Sequence, residues 1–155
     1  MLRKLSIILL SAAFVMGCSD DDDPVVIDPT QPSGTFRASA SGSFVDQSMA
    51  GTTGSVSIGT DSDGVQFLQY SSDFSTNLNT GTVSVYLTSS MVNDADEFAA
   101  LASPGTGNPD LKLVGPLSGT GMSFQKLNSA ATANQKFVLL WCGSVGVPFG
   151  SAELN

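Results

Sequence analysis

The sequence predicts an all-β fold: an antiparallel β-sandwich or open barrel of about eight short strands, with one short helix. Three observations predict it. Glycine, serine and threonine are abundant, and turn signals recur about every ten residues. Between the turns lie short runs that alternate apolar and polar residues, the period of a half-buried strand. Only one brief segment shifts to helical spacing.

Taken in order, residues 35–40 set Phe36, Ala38 and Ala40 against polar neighbours. Residues 55–59 place Val56 and Ile58 on one face. Residues 65–70 alternate Val65, Phe67 and Gln69 with Gln66, Leu68 and Tyr70, so both faces are partly apolar. Residues 82–88 set Val83, Val85 and Leu87 on one face. Residues 93–102 (NDADEFAALA) break the pattern. Asn93 or Asp94 is an N-cap candidate, acids occupy the first turn where they complement the helix dipole, and Phe98 and Leu101 share a helical face. Residues 103–110 (SPGTGNPD) read as a loop. Further strands are expected at 111–114, 122–127, 137–142 and 144–149. The run FVLLWC, 137–142, is apolar throughout, which predicts a central strand covered on both faces. Cys142 then shares a face with Val138 and Leu140, while Phe137, Leu139 and Trp141 face the other way.

Ahead of this domain, at 34–155, two segments have other roles. Residues 1–17 pair a basic start (Arg3, Lys4) with an apolar run shorter than the ~20 residues a bilayer requires. They read as an export signal. The run ends in Val15-Met16-Gly17-Cys18, which resembles a bacterial lipobox and marks Cys18 for acylation. Residues 18–33 carry that cysteine, then SDDDD, then a proline-containing linker that holds the domain off the membrane. An acidic run behind a lipidated cysteine resembles the surface-export signal of Bacteroidetes lipoproteins. The expected location is therefore the outer membrane, facing the cell surface, with the membrane itself a partner through the Cys18 lipid.

Composition excludes several functions. Without residues 1–17 the chain keeps four basic residues against fourteen acids, a formal charge of −10. That balance argues against nucleic acid as a partner, because affinity there comes from neutralising phosphates. The chain has no histidine. Ser-His-Asp and Cys-His catalysis are thereby excluded within it, as are His-ligated haem and the usual catalytic zinc sites. Asp61-Ser62-Asp63-Gly64 has the opening spacing of a calcium loop but lacks the downstream glutamate, and reads as a β-turn. Residues 115–121 are glycine-rich without a phosphate-binding fingerprint. Neither a cofactor nor a metal site is read from the sequence, and the chain reads as a module without enzymatic activity of its own.

In the C-terminal third, Leu113-Val114-Gly115-Pro116-Leu117, then GTGMSF at 119–124, Val138 to Cys142, and VPFGSAEL at 147–154 together resemble the DM13 family. Upstream, Gly34-Thr35-Phe36 and Val85-Tyr86-Leu87 match the family's opening and its strand ending in Tyr-Leu. The sequence departs from the pattern at Gly81-Thr82-Val83, where the family has Gly-Pro-Asp, and at Gly143, where a polar residue is common. The resemblance implies a small β domain that takes part in electron transfer through one cysteine, here Cys142, with a redox or surface protein as partner.

From the residues alone Cys142 has two readings. It is a candidate redox thiol, or it is a buried structural residue in a binding or adhesion module. With Cys18 lipidated it has no intrachain disulfide partner. The acidic background is expected to raise its pKa, and no cation is close to it in sequence.

Overall fold

In the computed structural model, residues 28–102 and 109–155 are described. The export signal, Cys18, the acidic run and the first four residues of the linker lie outside the described residues, as does most of the 103–110 loop. Eight strands and one helix follow in the order β1 (Arg37–Asp46), β2 (Ser55–Thr60), β3 (Gln66–Tyr70), β4 (Val83–Thr88), α1 (Ala95–Ala102), β5 (Leu111–Pro116), β6 (Ser123–Lys126), β7 (Phe137–Cys142) and β8 (Val147–Glu153). They form one sheet in the order β5-β4-β7-β8-β1-β2-β3-β6, antiparallel at every pairing. The fold is all-β, a nearly closed barrel.

β1 is the hinge of this arrangement. It pairs with β2 from Arg37 to Ser43 and with β8 from Phe44 to Asp46. It therefore belongs to both halves of the sheet. The edges β5 and β6 are drawn together by side chains. Gln125 on β6 donates from Nε2 to the Pro116 carbonyl at 3.2 Å and accepts at Oε1 from the Tyr70 hydroxyl at 3.0 Å. Lys112 on β5 donates from Nζ to the carbonyls of Ser129 and Ala130, just beyond β6. Gly115 sits at the register shift between β4 and β5 with φ at +149°, a conformation that side-chain-bearing residues avoid.

The interior is filled by inward residues of both halves, among them Val56, Leu68, Val85, Leu87, Val138, Leu140 and Phe149. Phe44, Tyr70 and Phe74 form an aromatic cluster, with Tyr70 and Phe74 centroids 4.6 Å apart. β7 is covered on both faces, as its composition predicts. Val138, Leu140 and Cys142 point into the barrel, and Leu139 and Trp141 point outward beneath Val92 and α1. Phe98 of α1 stacks on Trp141 with centroids 4.0 Å apart and planes 9° from parallel. Asp94 is the N-cap: its carboxylate accepts from the Glu97 N–H at 2.9 Å. Glu97 in turn accepts from the Asn93 N–H at 2.8 Å, a capping-box arrangement displaced by one residue.

Most element ends differ from the sequence reading by one or two residues, and three segments differ by more. β1 runs on to Asp46 because Gly42 and Phe44 turn inward while Ser41, Ser43 and Val45 turn outward, an alternation in small residues that hides a strand. β8 starts at Val147 and continues through Gly150-Ser151, residues that resemble turn material but pair with β7 and β1. The last residues of the expected linker do not stay extended. Asp28 caps a turn by accepting from the Thr30 N–H at 2.9 Å, and Ser33 is fastened to the β2–β3 turn.

A thiol under a polar turn: the candidate functional site

Cys142 closes β7 and begins a tight connection to β8. The Gly146 N–H returns to the Cys142 carbonyl at 2.9 Å, and Gly146 adopts φ +69°. Across the sheet Cys142 pairs with Val83 of β4 and Val147 of β8. The side chain faces the barrel interior and the residue is 0 % exposed. The residues above it are different in kind. Gly143, Ser144 and Val145 are exposed, and so is Thr80 on the segment leading into β4. The two segments touch, since the Gly143 N–H reaches the Thr82 carbonyl at 3.4 Å. Gly81 permits this approach: its φ is +128°, and a Cβ there would run into the Ser144 hydroxyl.

Polar groups converge on the sulfur. The Thr80 hydroxyl lies 3.6 Å from Sγ. The N–H groups of Ser144 and Val145 and the Ser144 hydroxyl also donate to it. Burial alone pushes the thiol up, but these four donors outweigh it and hold its pKa below the ordinary thiol value. Successive N–H groups of a turn aimed at one atom make a small anion-binding concavity. This corrects the expectation of a raised pKa. The acidic background acts through water at a distance, whereas the donors act in contact.

Among the described residues no lysine or arginine contributes. Lys112 is held by the Ser129 and Ala130 carbonyls, Lys126 acts on Asp61, and Lys136 precedes β7 at the opposite end of the strand. The thiolate is favoured by dipoles, not by a cation. Thr80 and Ser144 were not singled out by the sequence. Ser144 had a local signal, a hydroxyl two residues past a cysteine in a glycine-rich turn. Thr80 had none, because it meets Cys142 only through the β4–β7 pairing.

The Asp61 turn has a structural role. Its carboxylate accepts from the N–H groups of Asp63 at 3.0 Å, Val65 at 2.8 Å and Ser33 at 3.0 Å. Burial acts upward on this carboxyl, but the three N–H donors and the Lys126 charge hold its pKa below the usual range. Both oxygens are thus spent on backbone, as the β-turn reading requires. Among the described residues no group of three or more acids or cysteines is placed to hold a metal ion.

Comparison with known proteins bears on this geometry. The family described as Electron transfer DM13 matches residues 43–154, from the middle of β1 to the end of the sheet. The chain belongs to the DM13 family. Neither the comparison with curated proteins nor that with solved structures gives a match. The DM13 match spans both segments that meet at the sulfur, the approach to β4 and the β7–β8 turn.

Proposed function

We propose that the protein is a cell-surface lipoprotein whose DM13 domain works in electron transfer through the Cys142 thiol. The observation that carries this reading is the set of four donors directed at the sulfur. A purely structural cysteine gains little from groups that stabilise its anion. A redox thiol requires them, because the thiolate is the reactive form.

The chemistry that fits is thiol–disulfide exchange. Cys142 gives its proton to water, and the thiolate attacks one sulfur of a disulfide on a redox partner. That S–S bond breaks, a mixed disulfide forms, and the second sulfur leaves as a thiolate that takes up a proton. A low-molecular-weight thiol then attacks the mixed disulfide at the partner's sulfur. Cys142 leaves as thiolate, the new disulfide joins the partner's sulfur to the small thiol, and the proton of the attacking thiol passes to water. The sulfur is covered at rest, so the turn from Gly143 to Gly146 lifts to admit the partner. Glycines at both ends of that turn make it the element best suited to move.

Anchoring follows from the sequence. Cys18 carries the lipid, the acidic run favours the outer face, and the partners are the membrane and a redox protein. The formal charge of the mature chain argues against nucleic acid. Replacing Cys18 by alanine is expected to release the protein from the membrane fraction.

The complete burial of Cys142 favours a second reading, a binding module in which the thiol is packing. Alkylation separates the two, with peptide mapping to distinguish Cys142 from Cys18. Native labelling with a pH midpoint below the free-thiol value of about 8.5 supports the redox reading. Labelling only after unfolding overturns it and leaves the binding module.

A further inference from the structure

A groove of about 610 Å³ lies on the outer face of the barrel, within the size range of small-ligand sites. Its floor is a grid of hydroxyls set by strand register. Ser41 pairs with Ser57, Ser43 pairs with Ser55, and Val45 pairs with Ser151, so these side chains share the outward face of β2, β1 and β8. A second, smaller groove shares Ser55 and Ser57 and continues the shelf to Gln69 of β3 and Ser71 just beyond it. The shelf therefore crosses four strands, about 14 Å at normal strand spacing.

Small polar residues on a sheet face are not in themselves a site. Ser151 supplies the independent observation. It is 1 % exposed, its hydroxyl has no hydrogen-bond partner, and it lines the groove. Buried polar atoms are almost always paired, and an unpaired one on a residue lining a groove is a place where a ligand that shifts the lining can complete the bond.

The lining defines the ligand. Serine hydroxyls both donate and accept, so the ligand offers both functions at short intervals. Glu153 is the one charged side chain in the lining; it only accepts, and it repels anions. Val45 and Met91 are exposed beside Ser151 and give C–H groups an apolar surface. We propose that this face binds a neutral oligosaccharide, with Ser151 bonding one sugar hydroxyl, the serine grid reading the others, and Met91 and Val45 packing on a ring face. The site is separate from the Cys142 turn and independent of the redox reading.

The test is amide-shift titration of the full chain in a detergent without a sugar headgroup. The probes are cello-, malto-, laminari- and manno-oligosaccharides, with an oligogalacturonate as the acidic comparison, each to about 10 mM. The expected result is saturable shifts at residues 41–45, 55–57 and 151–155 with at least one neutral series. Ser151→Val, which keeps the shape and removes the hydroxyl, is expected to weaken that binding about tenfold. Ser57→Phe, which fills the groove from an outward position, is expected to abolish it, and Cys142→Ser to leave it unchanged. Both groove variants are checked for unaltered thermal unfolding; if Ser151→Val unfolds early, Ser43→Val replaces it with the same expectation. No shift with any neutral probe overturns the proposal. So do shifts confined to other residues, undiminished binding after loss of the hydroxyl, or equal binding of the acidic probe.

Discussion

Two turns in this domain solve the same physical problem for different ends. At the β2–β3 connection, Asp61 is sheltered from solvent and accepts N–H bonds from residues two and four positions ahead and from Ser33. At the β7–β8 connection, Cys142 is sheltered and takes N–H bonds from residues two and three positions ahead and a hydroxyl contact from Thr80. In both, donors outweigh burial and favour the anion. The difference lies in where each group titrates. A carboxyl is ionised throughout the neutral range with or without help, so the donors around Asp61 hold chain in place. A thiol is mostly protonated at neutral pH, so the same kind of donors at Cys142 change which species is present. Converging N–H groups are architecture around an acid that is already ionised and chemistry around one that is not.

The strongest way to break the contrast is to open the cage beneath the thiol. Leu140→Ala removes a fully buried side chain on the same face of β7 and is expected to cost about 2–5 kcal/mol in denaturant unfolding. Alkylation of Cys142 should become faster as the cavity loosens the strand end.

Next comes the acid limb of stability. The folded-state pKa of Asp61 is depressed, so its contribution is present above the unfolded value near 3.9 and is lost as pH falls through the folded value. Asp61→Asn should flatten that limb in unfolding measured between about pH 5 and pH 2, and speed amide exchange at Ser33. The same linkage operates for the thiol at the other end of the scale. Its folded pKa is also depressed, so its contribution is complete above about pH 8.5 and lost as pH falls through the folded value. Cys142→Ser should remove a rise in stability between neutral and alkaline pH.

Phe98→Ala tests whether the outer face of β7 matters to the thiol. It removes the stack on Trp141, with an expected cost of about 1–2 kcal/mol and a red shift of tryptophan emission. Labelling of Cys142, which faces the other way, should be unchanged. The smallest stability change, under about 0.5 kcal/mol, is expected for Thr80→Val with Ser144→Ala, both exposed positions. That pair sharpens the comparison most directly: the labelling midpoint should rise, and if it rises by about one unit the rate at neutral pH falls roughly tenfold.

Much of the fold was legible because its signals are local. FVLLWC announced a strand buried on both faces, and the Asn93–Asp94 cap with its following acids announced α1. The second half of β1 and the end of β8 were hidden because their outward residues are serines and their inward positions include Gly42 and Gly150, which resemble a loop in one dimension. The site divided along the same line. Cys142 stood out by type and position, and the Ser144 turn was within reach of sequence reasoning. Thr80 was not, because 62 residues separate it from the sulfur and only sheet register joins them. The serine grid of the outer face was hidden for the same reason, since Ser151 reaches the floor of that groove only through the β1–β8 pairing.

The double membership of β1 also sets a clock. A ribosome or a secretion channel delivers the chain from its N-terminus, and β1 needs β8 to complete its pairing between Phe44 and Ala152. Until those last residues emerge, the far half of β1 and the free side of β7 both expose unpaired backbone. Pairings this distant in sequence form slowly, after the loop-closure entropy has been met. A chain that stalls or is clipped before β8 therefore presents two open strand edges at once, the state most prone to aggregation and most visible to proteases.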